Sequence, residues 1–225
     1  LVRSSYIYNL MKYFTCLLFA ALFVFSCGST PGRSGIYFDQ NGQAVSKEKQ
    51  REIFDRNRGK LITATITNAD SIEYRLVPRK EAGKISPEDN PAVALYLNGL
   101  AEGRLPAEYL AAIVYYPGKD LCNSTGNATR ETRDVWYDEM EAKLAAIDKT
   151  FVFYVYKNDE GLERRTLNRD WNQDGNQLIE ETFFKHHYPC SSFTVVDQDG
   201  NYRSYFGAFV KEEVAKTARA VKQDQ

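Results

Sequence analysis

The chain has 225 residues, 43% of them hydrophobic and 26% charged, with a formal net charge of −1. That is enough apolar material for one good core or two small ones, and too balanced in charge for a nucleic-acid-binding surface. There is no run of like charge, no internal repeat and no low-complexity tract beyond one short Gly- and Ser-containing stretch.

Met11 and Lys12 open a short basic region, Phe14 to Phe25 is apolar, and Ser26-Cys27 closes it. The apolar run is shorter than the roughly 20 residues a spanning helix needs. It has the length of a secretory signal core. Val24-Phe25-Ser26-Cys27 resembles the lipobox of bacterial lipoproteins, in which the cysteine becomes the lipidated first residue after cleavage. The resemblance implies a signal peptide over residues 1–26 with its start at Met11, and lipidation of Cys27. It also implies anchorage to a membrane of the bacterial cell envelope, facing the periplasm or the cell surface. Residues 27–35 are then a lipidated tether, because Gly28 to Gly35, GSTPGRSG, cannot bury apolar surface.

Ile36-Tyr37-Phe38 begins ordered structure and Asp39-Gln40-Asn41-Gly42 is a turn. Ser46 caps a helix to about Asn57, with Ile53 and Phe54 on its apolar side and Gly59 at its end. Leu61 to Thr67 alternates as a strand, Asn68-Ala69-Asp70 turns, and Ile72 to Val77 returns. Asn90-Pro91 opens a helix with proline at its first position; Val93, Leu97 and Leu100 share one side, and Gly103 is the stop. Nothing in residues 36–109 carries recognisable chemistry. The segment reads as an α+β extension packed on the C-terminal half of the chain.

Leu110 to Tyr116 is a compact apolar strand, followed by a Gly-, Asn- and Thr-rich loop from Pro117 to Thr129. A helix runs from about Glu131 to Ile147, with Trp136, Met140, Leu144 and Ile147 in one stripe. Phe151 to Tyr156 is almost continuously apolar, as in a sheet covered on both faces. Strand, helix and strand at this spacing make a right-handed crossover. Leu178 to Lys185 is the next helix and leads to Pro189. Ser192 to Val196, the turn Asp199-Gly200-Asn201 and Tyr202 to Phe206 form a hairpin. Val210 to Val221 is a final helix with Val210, Val214, Ala218 and Val221 on one face.

The order β-α-β, then α-β-β-α, with a proline before the hairpin, resembles the thioredoxin fold. The resemblance covers residues 110–225. It implies an α/β protein: a thioredoxin-like domain behind an N-terminal α+β extension. It also implies a cis Tyr188–Pro189 bond packed against an active cysteine at Cys122, after the first strand and before the first helix. Such a bond leaves an edge able to pair with an extended peptide, which makes Tyr188 and Pro189 the expected partner-binding residues.

Of the four cysteines, Cys16 lies in the signal and Cys27 is the lipid candidate. Cys122 and Cys190 remain in an exported domain, where disulfides persist. Thioredoxins carry Cys-x-x-Cys; this chain has Cys122-Asn123-Ser124-Thr125. A threonine can donate a hydrogen bond to a thiolate but cannot resolve a mixed disulfide. The resemblance brings the proline loop, and Cys190 with it, to the same end of the sheet as Cys122. Three readings stay open: a structural disulfide, a catalytic redox pair with Cys122 as nucleophile and Cys190 as resolving thiol, or two thiols too far apart to bond.

His186 and His187 are the only histidines. With Cys122 they could form a soft-ligand site for copper or zinc, although adjacent histidines at a helix end also serve free carbonyls. Asp170 to Gly175 with Glu181 follows the spacing of a calcium loop, but Gln177 stands where an aliphatic residue is usual, and Asp174 or Asn176 suits a helix cap. No metal and no cofactor are expected. Asn123-Ser124-Thr125 and Asn127-Ala128-Thr129 match the glycosylation sequon, which carries no weight in a bacterial protein. The expected role is a lipid-anchored envelope protein whose thioredoxin-like domain binds or supports a partner protein. The alternative is an envelope thiol–disulfide oxidoreductase or thiol peroxidase.

Overall fold

The computed structural model describes residues 33–124, 130–162 and 169–224. The signal segment, Cys16, Cys27, most of the tether, Thr125 and Asn127 lie outside these. Among the described residues no helix is long and apolar enough to cross a membrane.

The chain folds as an α/β structure with two sheets. The first contains β1 (Ser34–Phe38), β2 (Ala44–Val45), β3 (Leu61–Thr67) and β4 (Ser71–Pro78), in the order β2-β1-β4-β3. Its first turn is made by Asp39, whose Oδ1 accepts from the Asn41 and Gln43 amides at 2.8 and 2.9 Å. Helix α1 (Lys47–Arg56) starts where Ser46 Oγ accepts from Lys49 N. Gln50 ties that helix to the sheet by donating to the carbonyls of Phe38 and Tyr74 at 2.8 and 2.6 Å. The β3–β4 hairpin pairs Leu61 with Pro78 and Thr67 with Ile72.

The second sheet contains β5 (Lys80–Lys84), β6 (Leu110–Tyr116), β7 (Thr150–Tyr156), β8 (Trp171–Gln173), β9 (Ser192–Asp197) and β10 (Asn201–Tyr205). Their order is β5-β10-β9-β6-β7-β8. Strands β6, β7 and β8 are parallel, whereas β9 is antiparallel to β6, β10 to β9 and β5 to β10. The two edge strands were not foreseen. Lys80-Glu81-Ala82-Gly83-Lys84 is exposed throughout and has no apolar alternation; backbone pairing with β10 holds it. A Cβ on Gly83 would stand 2.9 Å from the Tyr202 hydroxyl, so a larger residue there would push the Tyr202 ring aside.

Helices α2 (Asn90–Leu100), α3 (Leu121–Ser124), α4 (Arg130–Ala145), α5 (Leu178–Phe183) and α6 (Lys211–Gln223) complete the described elements. On one face of the second sheet, Tyr137, Met140 and Leu144 of α4 and Val214, Ala218 and Val221 of α6 pack on Leu110, Ala112, Val114, Phe193 and Val195. On the other, Val93, Leu97, Ile179, Phe183 and Phe184 join Ile62 of β3 against Ala111, Ile113, Tyr115 and Val196. Arg169, 4% exposed, pairs with Asp134, Asp138 and Glu141 of α4 and lies over the Tyr137 ring at 4.9 Å.

Leu144 is fully buried, and Leu95 on α2 is 75% exposed. Leu144→Ala is expected to lower unfolding stability by about 2–5 kcal/mol. Leu95→Ala should change it by no more than about 0.5 kcal/mol. Urea melts of the two variants check the contrast.

Candidate functional site

Strand β6 ends at Tyr116, and the chain turns through Gly118, at φ 117°, into α3. Asp120 and Asn123 then cap one another. Asp120 Oδ1 accepts from the Asn123 amide at 2.8 Å, and Asn123 Oδ1 accepts from the Asp120 amide at 2.9 Å. This is the reciprocal arrangement of a capping box, built with Asp and Asn. Asn123 Nδ2 also donates to the Gly118 carbonyl at 2.7 Å and to the Cys190 carbonyl at 3.5 Å. The first turn after β6 is thereby tied to the proline loop.

That loop differs from expectation. No peptide bond among the described residues is cis, so Tyr188–Pro189 is trans. The chain reversal is made one residue later, at Cys190, which sits at φ 69° in the left-handed region. A non-glycine residue there is uncommon, and this one is held by its own amide, which donates to Asp120 Oδ2 at 2.7 Å. A hydrogen bond to a carboxylate is among the stronger kind. Tyr188 is buried, and its ring stacks on Phe206 at 4.1 Å. Its side chain therefore faces the core.

Cys122 and Cys190 come together. Their sulfurs lie at disulfide distance and their Cα atoms are 5.1 Å apart, inside the range that a disulfide spans. Thiols too far apart to bond are thus excluded. Cys122 is exposed and Cys190 half-buried.

Asp120 is the site residue that the sequence reading missed, and it is Asp120, not Cys122, that His187 meets. His187 Nε2 lies 3.5 Å from Asp120 Oδ2. Burial works to raise the Asp120 pKa. Hydrogen bonds from His187 and from the Asn123 and Cys190 amides outweigh it and hold the carboxyl below its ordinary range. The Asp120-x-x-Asn123 spacing is a cap pattern that could have flagged Asp120; nothing in the sequence links it to a histidine 67 positions on.

The histidines do not join Cys122. His186 faces the Tyr188 ring at 6.2 Å. Among the described residues no group of three or more His, Cys, Asp or Glu is placed to hold a metal. The calcium-spaced stretch divides into strand β8 and a cap for α5. Buried Asp174 accepts from the Ile179 and Glu180 amides at 3.2 and 2.8 Å.

The extension reaches the same place. The Thr65 amide of β3 donates to the His187 carbonyl at 2.9 Å, a lone antiparallel bridge. A Cβ on Gly207 would overlap Ile62 of β3 and lie 3.3 Å from the Pro189 carbonyl. The backbone at His187, two residues before the proline, is engaged by the chain itself.

No protein-family model, no curated protein and no solved structure matches this chain.

A carboxyl whose folded pKa is depressed contributes stability in full above its unfolded pKa, about 3.9, and loses it as pH falls through the folded value. Asp120→Asn should therefore destabilise the protein by about 1–3 kcal/mol at neutral pH. The gap should narrow as pH falls below the unfolded carboxyl's pKa and close once the folded carboxyl is protonated as well. Urea melts across pH check this; a gap independent of pH would mean that the ionised form is not what matters.

Proposed function

We propose that this is a lipid-anchored protein of the bacterial cell envelope whose thioredoxin-like domain is a disulfide-stapled module that binds or supports a partner and is not a dithiol enzyme. The parallel crossover β6-α4-β7, followed by α5, the β9–β10 hairpin and α6, supports the thioredoxin-like reading. The observation that carries the non-catalytic role is the Thr65–His187 bridge. It takes up, from within the chain, the backbone position next to the Tyr188–Pro189 edge on which an extended substrate would pair. A disulfide fits an oxidising compartment. Cys27 with several acyl chains would anchor stably, which a single chain does not.

Two measurements test the staple. Thiol counting on denatured mature protein should find no free thiol without reductant, and both Cys122 and Cys190 with it. The pair closes a span of 68 residues, worth on the order of 4 kcal/mol in the chain-entropy model and less in practice. Replacing both cysteines by serine should cost about 2–4 kcal/mol in urea melts while the fold persists.

The exposure of Cys122 favours a second reading, an oxidoreductase or thiol peroxidase. As an oxidoreductase, a substrate thiolate would attack Cys122 Sγ and expel Cys190 as thiolate. The second substrate thiol would then release Cys122, leaving the substrate oxidised and the protein reduced. A reduction potential at or below about −270 mV without turnover supports the staple. A value near about −120 to −180 mV with turnover supports the enzyme.

Anchorage is tested separately. Mass spectrometry of membrane-extracted protein should show acylated Cys27 as the first residue, and Cys27→Ala should release the protein to the soluble envelope fraction. Wild-type mature protein without lipid sinks this part of the proposal.

A further inference from the structure

The backbone beside the proline loop is taken by Thr65, so a partner must be met elsewhere. The second sheet leaves an opening. Strand β8 pairs with β7 only from Tyr154 to Tyr156. Among the described residues no strand continues beside Thr150 to Phe153 on that side. The Leu110 amide donates to the Lys149 carbonyl at 2.9 Å, and the Lys157 amide to the Tyr116 carbonyl at 3.0 Å. Odd-numbered positions of β7 therefore face β6. On the opposite side the Asp174 amide donates to the Tyr156 carbonyl at 2.9 Å. Successive residues of a parallel strand bond to opposite neighbours. The amides and carbonyls of Thr150 and Val152 thus point away from β6, with no partner among the described residues.

A cavity of about 540 Å³ lies along this edge. Its lining takes in every residue from Thr150 to Tyr154, and so both faces of the strand. Leu100 of α2 and Glu141 of α4 line it from opposite sides of the sheet. Only space beyond the sheet edge meets all of these. The two edges differ in composition. At the far edge, β5 carries Lys80, Glu81 and Lys84, the charges that keep an edge from pairing. Thr150-Phe151-Val152-Phe153 has no charge and is β-branched or aromatic throughout, which suits a strand paired on both sides. Phe151 and Val152 are only half-buried.

We propose that this notch receives an extended segment of a partner protein, added as a strand beside Thr150 to Phe153. Its backbone pairs with the Thr150 and Val152 amides and carbonyls. Its side chains alternate, apolar ones against Leu100, Ala101 and Phe151 and polar ones toward Glu141. A second copy would present the same recessed edge, flanked by its own β8; a projecting segment enters without that obstruction. The inference rests on the partner-binding reading above. The thiol count and the lipid analysis test the rest of that reading on other atoms, so the two fail separately.

The test is an NMR titration of the labelled full chain with the peptide acetyl-Lys-Val-Thr-Val-Thr-Lys-amide. It is expected to shift the Thr150 and Val152 amides and slow their hydrogen exchange about 10-fold, leaving Glu81 and Gly83 of β5 unmoved. The same peptide with proline at its two central positions lacks the amides that pair, and should bind about 10-fold more weakly. Val152→Pro removes one outward amide at an edge position, where proline is tolerated, and should weaken the first peptide by about 10-fold. The proline peptide is read on the unaltered chain, so the test holds whether or not that variant folds. Equal binding of the two peptides, shifts confined to β5, or no shift at all would overturn the inference. Movement of the same amides on diluting the protein alone would assign the notch to a second copy and overturn it too.

Discussion

Strand β6 has no solvent face: all seven residues from Leu110 to Tyr116 are buried. Everything else in the second sheet answers that constraint. Successive side chains point to opposite faces, so Leu110, Ala112 and Val114 need one apolar layer and Ala111, Ile113 and Tyr115 another. Helices α4 and α6 provide the first. The second is assembled from α2, α5 and Ile62 and Ala64 of β3. The N-terminal segment is therefore half of the cover for the central strand. Strand β5 takes it further, pairing with β10 within the second sheet. A one-residue slip of β6 would exchange the two sets of side chains, placing small alanines where the larger residues now fit.

The candidate site sits where this central strand runs out. At Tyr116 the chain must leave the sheet, and the backbone amides of the next turn need acceptors. Asp120 supplies them with both oxygens, one to Asn123 and one to Cys190. Because the second bond crosses to the other loop, a local capping requirement becomes a tertiary tie. Asn123 adds a second crossing bond through its amide nitrogen. The cysteines are thus positioned by polar contacts as well as by the sulfurs.

Elements with strong periodicity were legible in the sequence. The alternation of Leu61 to Thr67 and the Trp136, Met140, Leu144, Ile147 stripe lead to β3 and α4; Met140, Leu144 and Ile147 are buried, Trp136 is half-buried, and Ile147 lies just past the helix end at Ala145. The edge strands were not legible. β5 is a polar run and β8 has three residues, and each is held by pairing that no local pattern announces. Helix α5 ends at Phe183, two residues before the expected stop. Phe184 leaves the helix to stack on Tyr115 at 4.6 Å, a tertiary demand that overrides helical continuation. At the site, cysteine count and chain order pointed to Cys122 and Cys190. The turn at Cys190 was invisible because cysteine has no preference for positive φ. Thr65 and His187 are joined only by the long-range path of β3.

The surroundings of the two sulfurs are unequal, and this bears on what the pair can do. Cys122 is exposed and Cys190 half-buried, so Cys122 is the more open to an incoming thiolate. Attack at Cys122 would expel Cys190 as the leaving thiolate. Exchange is faster when the leaving sulfur carries negative charge easily. Beside Cys190 stands Asp120, whose pKa is held low by the bonds it accepts, the Cys190 amide among them. A carboxylate at that position opposes a second negative charge forming nearby, whereas low-pKa thiols are found next to cations or helix N-termini. His187 offsets part of that field only when it carries a proton. The group that best orders the junction is thus also one that discourages its opening, which favours a staple over a redox centre.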